Sequence, residues 1–299
     1  MKQAVIGIGS NSLRMLIAEI DGDRMTRLKR EREANRLFSG LNAKRELSRE
    51  SMEKTVRTVA EMAEHARAEG AETLFLFATS ATRDAVNQAE LADMLKAGSG
   101  LELEVCSGPL EAELSFLGAS EGRRCAVVDI GGGSTELVTG DENGIRDAIS
   151  CQMGAVRLAE KMPLRNISEL DAVIRAAGDI LRGELAVRPL KEVPDAWIGT
   201  GGTFTTLAAL LQQVHWSDRT HVHGYLLEAG QVRRIACELA EKTVEQRLQM
   251  MGMQPGRADI VVHGVAILLA IMAHFGVSRM QVSEYGNLEG YFRKRMQNG

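Results

Sequence analysis

The stretch VIGIGSNSLR, residues 5–14, decides the fold expected for this chain. A short apolar strand runs directly into a loop of Gly, Ser and Asn, and a second apolar segment follows. The pattern returns at residues 127–137 as VVDIGGGSTEL, with Asp129 where the first copy has Gly7. Two copies of strand, small-residue loop and strand predict two related halves that each begin with the same hairpin.

The composition of the 299 residues, 44% hydrophobic and 25% charged, is typical of a globular protein with enough material for two domains. A net charge of −4 argues against a surface devoted to nucleic acid. No apolar run reaches the roughly 18 residues that a membrane helix needs, and the nearest, residues 260–276, is expected to be a buried helix. The four cysteines include no C-x-x-C pair. Neither disulfides nor a zinc site is therefore expected, and the expected location is the reducing cytoplasm.

Short apolar segments that end in Gly or Ser predict strands at residues 3–8, 16–20, 73–78, 101–106, 125–130, 135–140, 196–199 and 280–282. Helical periodicity lies between them, as at residues 51–66 and from Leu170 to Leu181, the latter behind the capping-box pattern Ser168-x-x-Asp171. Alternating strands and helices predict α/β layers.

The domain boundary is expected near residues 119–124, just before the second hairpin. This gives one domain over residues 1–122 and another over residues 123–286. The sequence DENGI at residues 141–145 predicts a hairpin turn. Residues 287–299 are expected to form a helix that returns to the first domain.

Both loops carry groups that bind anions. Glycines let backbone N–H groups approach a ligand closely, and neighbouring hydroxyl groups add donors. Asp129, at the end of its strand, can hold a metal ion beside a phosphate. We expect phosphate contacts from Ser10, Asn11 and Ser12 in the first loop and from Gly131, Gly132, Gly133, Ser134 and Thr135 in the second. The alternative is a pair of tight turns that serve only the fold.

Three further stretches carry candidate groups. In IGTGGTFTTLAAL, residues 198–210, Gly201, Gly202 and Thr203 precede a helix whose N-terminus suits an anion, although no Lys follows as in a Walker A loop. In FATSATRDAVN, residues 77–87, Ser80 and Arg83 could meet a phosphate, or Arg83 could pair with Asp84 or a glutamate.

The third stretch is SGPLEAELSFLG, residues 107–118. Glu111 lies in the first turn of its expected helix, where the helix dipole alone would favour it. Glu113 is two residues further on and therefore points in a different direction. The residues alone thus leave a structural role for Glu111 open. The six histidines form no convincing catalytic or metal-binding set.

These motifs occur in the order seen in the exopolyphosphatase / guanosine pentaphosphate phosphohydrolase family, which this chain resembles over nearly all of residues 3–290. MGAVRLAE (residues 153–160), VHG (222–224) and GRADIVVHGVAIL (256–268) agree as well. The resemblance implies two related actin-like (ribonuclease H-like) α/β domains with a cleft between them, in the short form without C-terminal helical domains. The family often forms dimers, and the helix at residues 260–275 could serve the core or such an interface.

The resemblance also implies metal-dependent hydrolysis of a terminal phosphate, with Mg²⁺ or Mn²⁺ as cofactor. Glu111 falls on the glutamate proposed to activate the attacking water, and Arg83 on a phosphate-side arginine. Asp129 and Glu136 fall on acidic positions linked to metal and catalysis. The glycines Gly201 and Gly202 fall on the adenosine-type loop of the fold.

Four residues depart from the family pattern: Gly7, Leu110, Glu284 and Leu288. Gly7 replaces a metal-side Asp, which is expected to weaken metal binding or change metal preference. Leu110 replaces an acidic residue often found before the catalytic glutamate. Glu284 and Leu288 stand where an Asp and an Arg are usual. This difference is expected to alter how the protein holds the polyphosphate chain or how the domains pack.

The function expected is that of an exopolyphosphatase acting on inorganic polyphosphate. One alternative is a guanosine pentaphosphate phosphohydrolase. Another is a non-catalytic binding or regulatory protein, to which Gly7 and Leu110 point. A kinase of the actin-like superfamily is disfavoured by the Glu111 segment and by TSATRDA. A basic path for the polyanion could include Arg36, Lys44 and Arg45, or these residues could form a solvated face.

Overall fold

The computed structural model describes residues 1–297. The chain forms two compact units. The first combines Met1–Gly118 with the chain from Asn287 onward, and the second is Ala119–Gly286. The first crossing between units therefore follows Gly118, a few residues before the expected boundary at residue 122.

The strands are β1 (Lys2–Ile8), β2 (Ser12–Asp21), β3 (Arg24–Ala34), β4 (Thr73–Ala78), β5 (Leu103–Val105), β6 (Cys125–Ile130), β7 (Thr135–Asp141), β8 (Gly144–Cys151), β9 (Trp197–Thr200), β10 (Leu226–Glu228) and β11 (Arg279–Val282). The helices are α1 (Arg49–Ala68), α2 (Ser80–Asp84), α3 (Gln88–Ser99), α4 (Gly108–Ala119), α5 (Ala155–Lys161), α6 (Leu170–Val187), α7 (Gly202–Gln212), α8 (Arg219–Val222), α9 (Ala229–Glu241), α10 (Val244–Leu248), α11 (Val261–Phe275) and α12 (Asn287–Gln297). Short 3-10 helices cover Leu37–Gly40, Ile167–Glu169 and Pro255–Arg257.

The two sheets repeat one topology. The first sheet has the order β3-β2-β1-β4-β5, with β1 antiparallel to β2 and parallel to β4. The second has the order β10-β11-β9-β6-β7-β8, with β6 antiparallel to β7 and parallel to β9. Apart from the edge strand β10, the five strands β8-β7-β6-β9-β11 follow the order of the first sheet. The repeat first seen in the loops thus extends to whole sheets, and the predicted α/β class is confirmed.

Each unit has its own core. In the first unit α12 packs on the sheet, and the ring of Tyr291 stacks on Phe77 with 5.1 Å between centroids. In the second unit α11 lies in the core, as expected from its apolar sequence. No helix within residues 1–297 has the length and apolar character needed to cross a membrane.

Several elements differ from the sequence-based expectation. The strands β3, β8 and β10 were not predicted, and β2 begins at Ser12 rather than at residue 16. The edge strand β3 has the sequence RMTRLKREREA and is mostly exposed, so it lacks the apolar signal that marks a buried strand. The predicted hairpin turn at residues 141–145 is confirmed, because β7 ends at Asp141 and β8 begins at Gly144.

The predicted capping box at Ser168 is wrong. Helix α6 begins at Leu170 with Glu169 at its N-cap, and no side chain caps it. Ser168 instead lies in the preceding 3-10 helix, where its N–H donates to Asn166 Oδ1 at 3.0 Å. For the C-terminal helix, the last two residues of the predicted range, Asn298 and Gly299, lie outside the described residues.

Candidate active site

The two small-residue loops have the same backbone turn. In the first, Gly9 N–H donates to Ser12 O at 3.1 Å; in the second, Gly131 N–H donates to Ser134 O at 3.0 Å. Each turn joins the central strand of its sheet to the adjacent antiparallel strand. The repeat predicted from the sequence therefore holds at the level of individual hydrogen bonds.

In both loops the carbonyl groups are held by the segment that follows the third strand. Behind the first loop, Phe38 N–H donates to Ser10 O, and the N–H groups of Asn35 and Arg36 donate to Asn11 O. Arg36, Lys44 and Arg45 of the expected basic path are exposed in the same connection between β3 and α1. The side chains of Ser10, Asn11 and Ser12 are buried.

Behind the second loop, the start of α5 performs this role. Ala155 N–H donates to Gly131 O, and both Val156 and Arg157 donate their N–H groups to Gly132 O. None of these bonds uses the N–H groups of Gly132, Gly133 or Ser134. Thr135 donates its hydroxyl to Met153 O, so it anchors the same segment.

Ser134 carries a polar atom that the fold leaves unused. Its side chain is fully buried, and its Oγ has no hydrogen-bond partner among residues 1–297. A buried hydroxyl without a partner costs free energy, which a bound ligand would recover. This observation favours an anion at the second loop.

Asp129 and Glu136 are direct partners across β6 and β7, so their side chains share one face of the sheet. Both are buried, and Glu136 Oε1 accepts a hydrogen bond from Ser150 Oγ at 2.8 Å. Two carboxylates in this arrangement repel each other unless a cation or a proton lies between them.

These two residues fit a Mg²⁺ ion. No group of three or more His, Cys, Asp or Glu side chains within residues 1–297 could hold a metal by itself. Magnesium commonly binds through one or two carboxylates while waters and substrate phosphates complete its shell. The Asp129–Glu136 pair next to a phosphate-type loop meets that description.

The third loop lies against this pair. A β-carbon on Gly201 would lie 2.6 Å from Asp129 Oδ1, and one on Gly202 would overlap the guanidinium of Arg257. Thr203 is buried beneath α11, where a β-carbon on Gly264 would lie 2.4 Å from Thr203 Oγ1. Gly201 and Gly202 thus join β9 to α7 beside Asp129, whereas the hydroxyl of Thr203 packs against a helix.

In the first unit, Ser10 Oγ and Ser80 Oγ lie 2.7 Å apart, which joins the first loop to α2. Arg83 lies near the end of this short helix. Its Nη1 donates to Glu111 Oε2 at 2.8 Å and to Cys106 O at 2.9 Å. The sequence-based alternative of an Arg83–glutamate pair is realised, and the partner is the candidate catalytic glutamate.

Glu111 is 6% exposed and lies in the first turn of α4. Glu113 points away from it and pairs with Lys294 Nζ at 2.7 Å. The adjacent thiol does not offer a nucleophile, because burial raises the pKa of Cys106 to about 12. Glu111 is therefore the ionisable group of this cluster that remains a candidate for catalysis.

At the positions equivalent to the carboxylate pair of the second unit, the first unit has no acidic residue. Where Asp129 faces Glu136, Gly7 of β1 faces Arg14 of β2. Arg14 Nη2 donates to Asn287 Oδ1 at 3.0 Å. The first unit thus presents a fixed cation at the position where the second presents two acids.

The other departures from the family pattern occupy different surroundings. Leu110 is half-buried at the edge of the first unit's core. Glu284, in the second unit, lies 3.8 Å from Arg219 Nε. Neither residue contacts Glu111 or Asp129 in the interactions described above.

The sequence from residue 16 to residue 298 matches the model of the Ppx/GppA phosphatase family. The chain belongs to this family. Exopolyphosphatase 2 of Mycobacterium tuberculosis is 34% identical over 96% of this chain and 96% of its own length. Members of the Ppx/GppA family are phosphohydrolases, and this chain is accordingly an enzyme of that class.

Two solved structures extend the Ppx/GppA assignment. An exopolyphosphatase from Cytophaga hutchinsonii has a TM-score of 0.88 at 27% identity, covering 100% of this chain and 98% of its own. The Aquifex aeolicus member of the Ppx/GppA family has a TM-score of 0.82 at 28% identity, with coverage of 100% and 98%. The actin-like α/β fold implied by the resemblance is confirmed by these likenesses.

Sequence reasoning did not assign a role to several residues that shape the loops. Gly154 leaves room for the second loop, Arg157 donates a hydrogen bond to it, Arg257 covers Gly202, and Ser150 donates a hydrogen bond to Glu136. The stretches MGAVRLAE and GRADIVVHGVAIL contained three of them, but only as parts of the resemblance. Ser150 lies on β8, a strand that was not predicted.

Proposed function

We propose that this phosphohydrolase is an exopolyphosphatase that removes terminal orthophosphate from inorganic polyphosphate. The observation that carries the proposal is the buried Glu111 held by Arg83 at 2.8 Å, in the unit that also contains the Ser10–Ser12 loop. The two similar exopolyphosphatases, from Mycobacterium and from Cytophaga, support the same substrate.

In this proposal Glu111 acts as the general base. It takes a proton from a water molecule while the water oxygen forms a bond to the terminal phosphorus. The bond from that phosphorus to the bridging oxygen breaks, and the shortened chain leaves with the bridging oxygen and its electron pair. Orthophosphate and a polyphosphate one unit shorter are the products.

Arg83 has two tasks. Its guanidinium orients the Glu111 carboxylate and offers positive charge to the oxygens of the transferred phosphoryl group. Phosphoryl transfer depends mainly on positioning and on neutralising charge, so such a cation lowers the barrier without reacting itself. A phosphate group that approaches Arg83 also competes with Glu111 for the same donors.

Mg²⁺, with Mn²⁺ as a substitute, is the proposed cofactor. Asp129 and Glu136 would hold it, and when bound it would neutralise phosphate charge beside the second loop. The N–H groups of Gly132, Gly133 and Ser134, with the buried Ser134 hydroxyl, would bind phosphate oxygens.

The test is orthophosphate release from short and long polyphosphate by the wild type and by Glu111→Gln. Glu113→Gln serves as the matched control, because it removes a carboxylate from the same helix that only pairs with Lys294. We expect release to fall by about 10² or more in Glu111→Gln and to persist in the control. Equal rates in the two variants would refute the role of Glu111.

Guanosine pentaphosphate is the comparison substrate in this assay. Faster release from it than from any polyphosphate, with the same dependence on Glu111, would reassign the substrate and leave the chemistry unchanged. Polyphosphate that binds without any release of orthophosphate would contradict the proposed activity.

A further inference from the structure

The second phosphate loop depends on a side chain outside it. Arg157, in the first turn of α5, donates its Nε–H to Gly133 O at 2.6 Å. A guanidinium on a carbonyl oxygen makes a charge-assisted hydrogen bond, which is stronger than one between neutral groups. No other side-chain bond to the carbonyls of this loop is among those described above.

The planar peptide group connects this bond to the ligand side of the loop. In a trans peptide the C=O and the following N–H point in opposite directions. The carbonyls of Gly131, Gly132 and Gly133 all bond the start of α5, so the N–H groups of Gly132, Gly133 and Ser134 are turned away from it. Successive N–H groups on one side form an anion-binding concavity.

Glycine gives this arrangement no stability of its own. Three consecutive glycines can reach many backbone conformations, so each peptide of the loop can turn over unless something outside holds it. Two of the three carbonyls are held by backbone N–H groups of α5, which remain after any substitution except one to proline. The third, that of Gly133, is held by the Arg157 side chain.

The first loop provides an internal comparison. The carbonyl of Asn11 corresponds to that of Gly133, and it accepts from two backbone N–H groups, those of Asn35 and Arg36. The first loop thus holds this carbonyl with main-chain N–H groups, whereas the second loop holds it with an arginine side chain.

The second loop and the start of α5 are in close contact at Gly154, because a β-carbon there would lie 2.3 Å from Gly132 O.

We infer that Arg157 is a positioning residue for phosphate binding, which fixes the Gly133–Ser134 peptide so that Ser134 N–H faces the anion. Its positive charge also polarises this peptide and makes Ser134 N–H a stronger donor. The inference deepens the proposed function and rests on it for the identity of the substrate. Without Arg157 the peptide turns over and directs a carbonyl oxygen at the phosphate.

The experiment measures binding of methylenediphosphonate, a pyrophosphate analogue whose bridging carbon prevents hydrolysis. Arg157→Gln and Arg157→Lys are compared with Arg146→Gln, a matched control in the same unit whose exposed arginine pairs only with Asp141. We expect Kd to rise roughly tenfold or more in Arg157→Gln and less in Arg157→Lys. Thermal unfolding midpoints of Arg157→Gln and the control should agree.

A second variant separates positioning from structure. In Arg157→Ala the guanidinium can be supplied by free methylguanidinium, which should lower the Kd for the analogue while leaving the control unaffected. Failure of methylguanidinium to do so, or a Kd in Arg157→Gln within about twofold of the control, would overturn the inference.

Orthophosphate release by the wild type, measured in parallel, keeps the two proposals apart. Release from polyphosphate together with unchanged analogue binding in Arg157→Gln refutes only the positioning role. Loss of analogue binding in Arg157→Gln, without release from polyphosphate by the wild type, upholds the role and refutes the exopolyphosphatase proposal.

Discussion

Leu288 of α12 fills space that a side chain at Gly7 of β1 would need: a β-carbon on Gly7 would lie 3.1 Å from Leu288 Cδ2. The same β-carbon would lie 2.9 Å from Phe77 Cζ. The two departures from the family pattern are therefore one structural change, in which apolar groups fill the place of an acid. In this chain a carboxylate is present at Asp129, whereas position 7 has no side chain.

Restoring a side chain at Gly7 should destabilise the protein. We expect Gly7→Ala to lower the free energy of unfolding by about 1–3 kcal/mol, because Phe77 and Leu288 must move. Gly7→Asp should cost more, since it also buries a carboxylate. Urea unfolding measures both changes.

The double variant Gly7→Ala/Leu288→Ala identifies the cause. In the Leu288→Ala background the cost of Gly7→Ala should shrink, although Phe77 still crowds the site. Strict additivity of the two single changes would show that the contact with Leu288 is not responsible.

Arg83 should be required for turnover. We expect Arg83→Gln to lower kcat/KM for polyphosphate by about 10²–10³, because the variant loses both the orienting bond to Glu111 and a cation for phosphate oxygens. Steady-state release of orthophosphate measures this. Arg49→Gln, which breaks only surface pairs with Glu53 and Glu90, is the control and should keep wild-type rates.

Asp129 should set the metal requirement. A chelator such as EDTA should stop orthophosphate release, and Mg²⁺ or Mn²⁺ should restore it. In Asp129→Asn the metal concentration for half-maximal rate should rise by roughly tenfold or more, because one charged ligand is lost. Asp141→Asn, at the β7–β8 turn, is the control, and an unchanged metal dependence in Asp129→Asn would remove Asp129 from the metal site.

His263 should make the protein less stable in weak acid. Burial in α11 lowers its pKa below 6.5, while its Nε2–H donates to Met162 O at 2.9 Å. Below about pH 6.5 the His263 side chain binds a proton in the unfolded state but not in the native state. The free energy of unfolding therefore declines as the pH falls toward the lowered native pKa.

His263→Gln keeps an N–H donor and removes this titration. Between about pH 7 and pH 5 the wild type should lose more free energy of unfolding than His263→Gln, by about 1.4 kcal/mol for each unit of pKa shift. Parallel stability curves for the two proteins over this range would contradict the prediction.

The loops could be predicted from sequence because Gly, Ser and Asn act locally. The turns at Gly9 and Gly131 each close on a carbonyl three residues further along the chain, and the strands before them are short apolar runs. The edge strand β3 could not be predicted in this way, since most of its charged side chains face solvent and its order comes from pairing with β2.

The contacts within the candidate site depended on tertiary structure. In the sequence, the helix dipole alone explains a glutamate in the first turn at Glu111, and only the folded chain places Arg83 beside it. Arg157 resembled an ordinary helical arginine, because nothing in the sequence tells which carbonyl lies within its reach. The sequence therefore predicts which residue types belong to the candidate site, whereas the partner that each residue contacts follows only from the folded structure.

The return of α12 to the first unit has a consequence for biosynthesis. Leu288 and Phe292 complete the core formed with Val5 and Leu16, yet the ribosome makes them only after the whole second unit. The apolar sheet face of the unit that is translated first therefore stays uncovered until α12 has been made, by which time the second unit can already fold. A chain stalled before residue 287 is the form most exposed to aggregation and to chaperone binding.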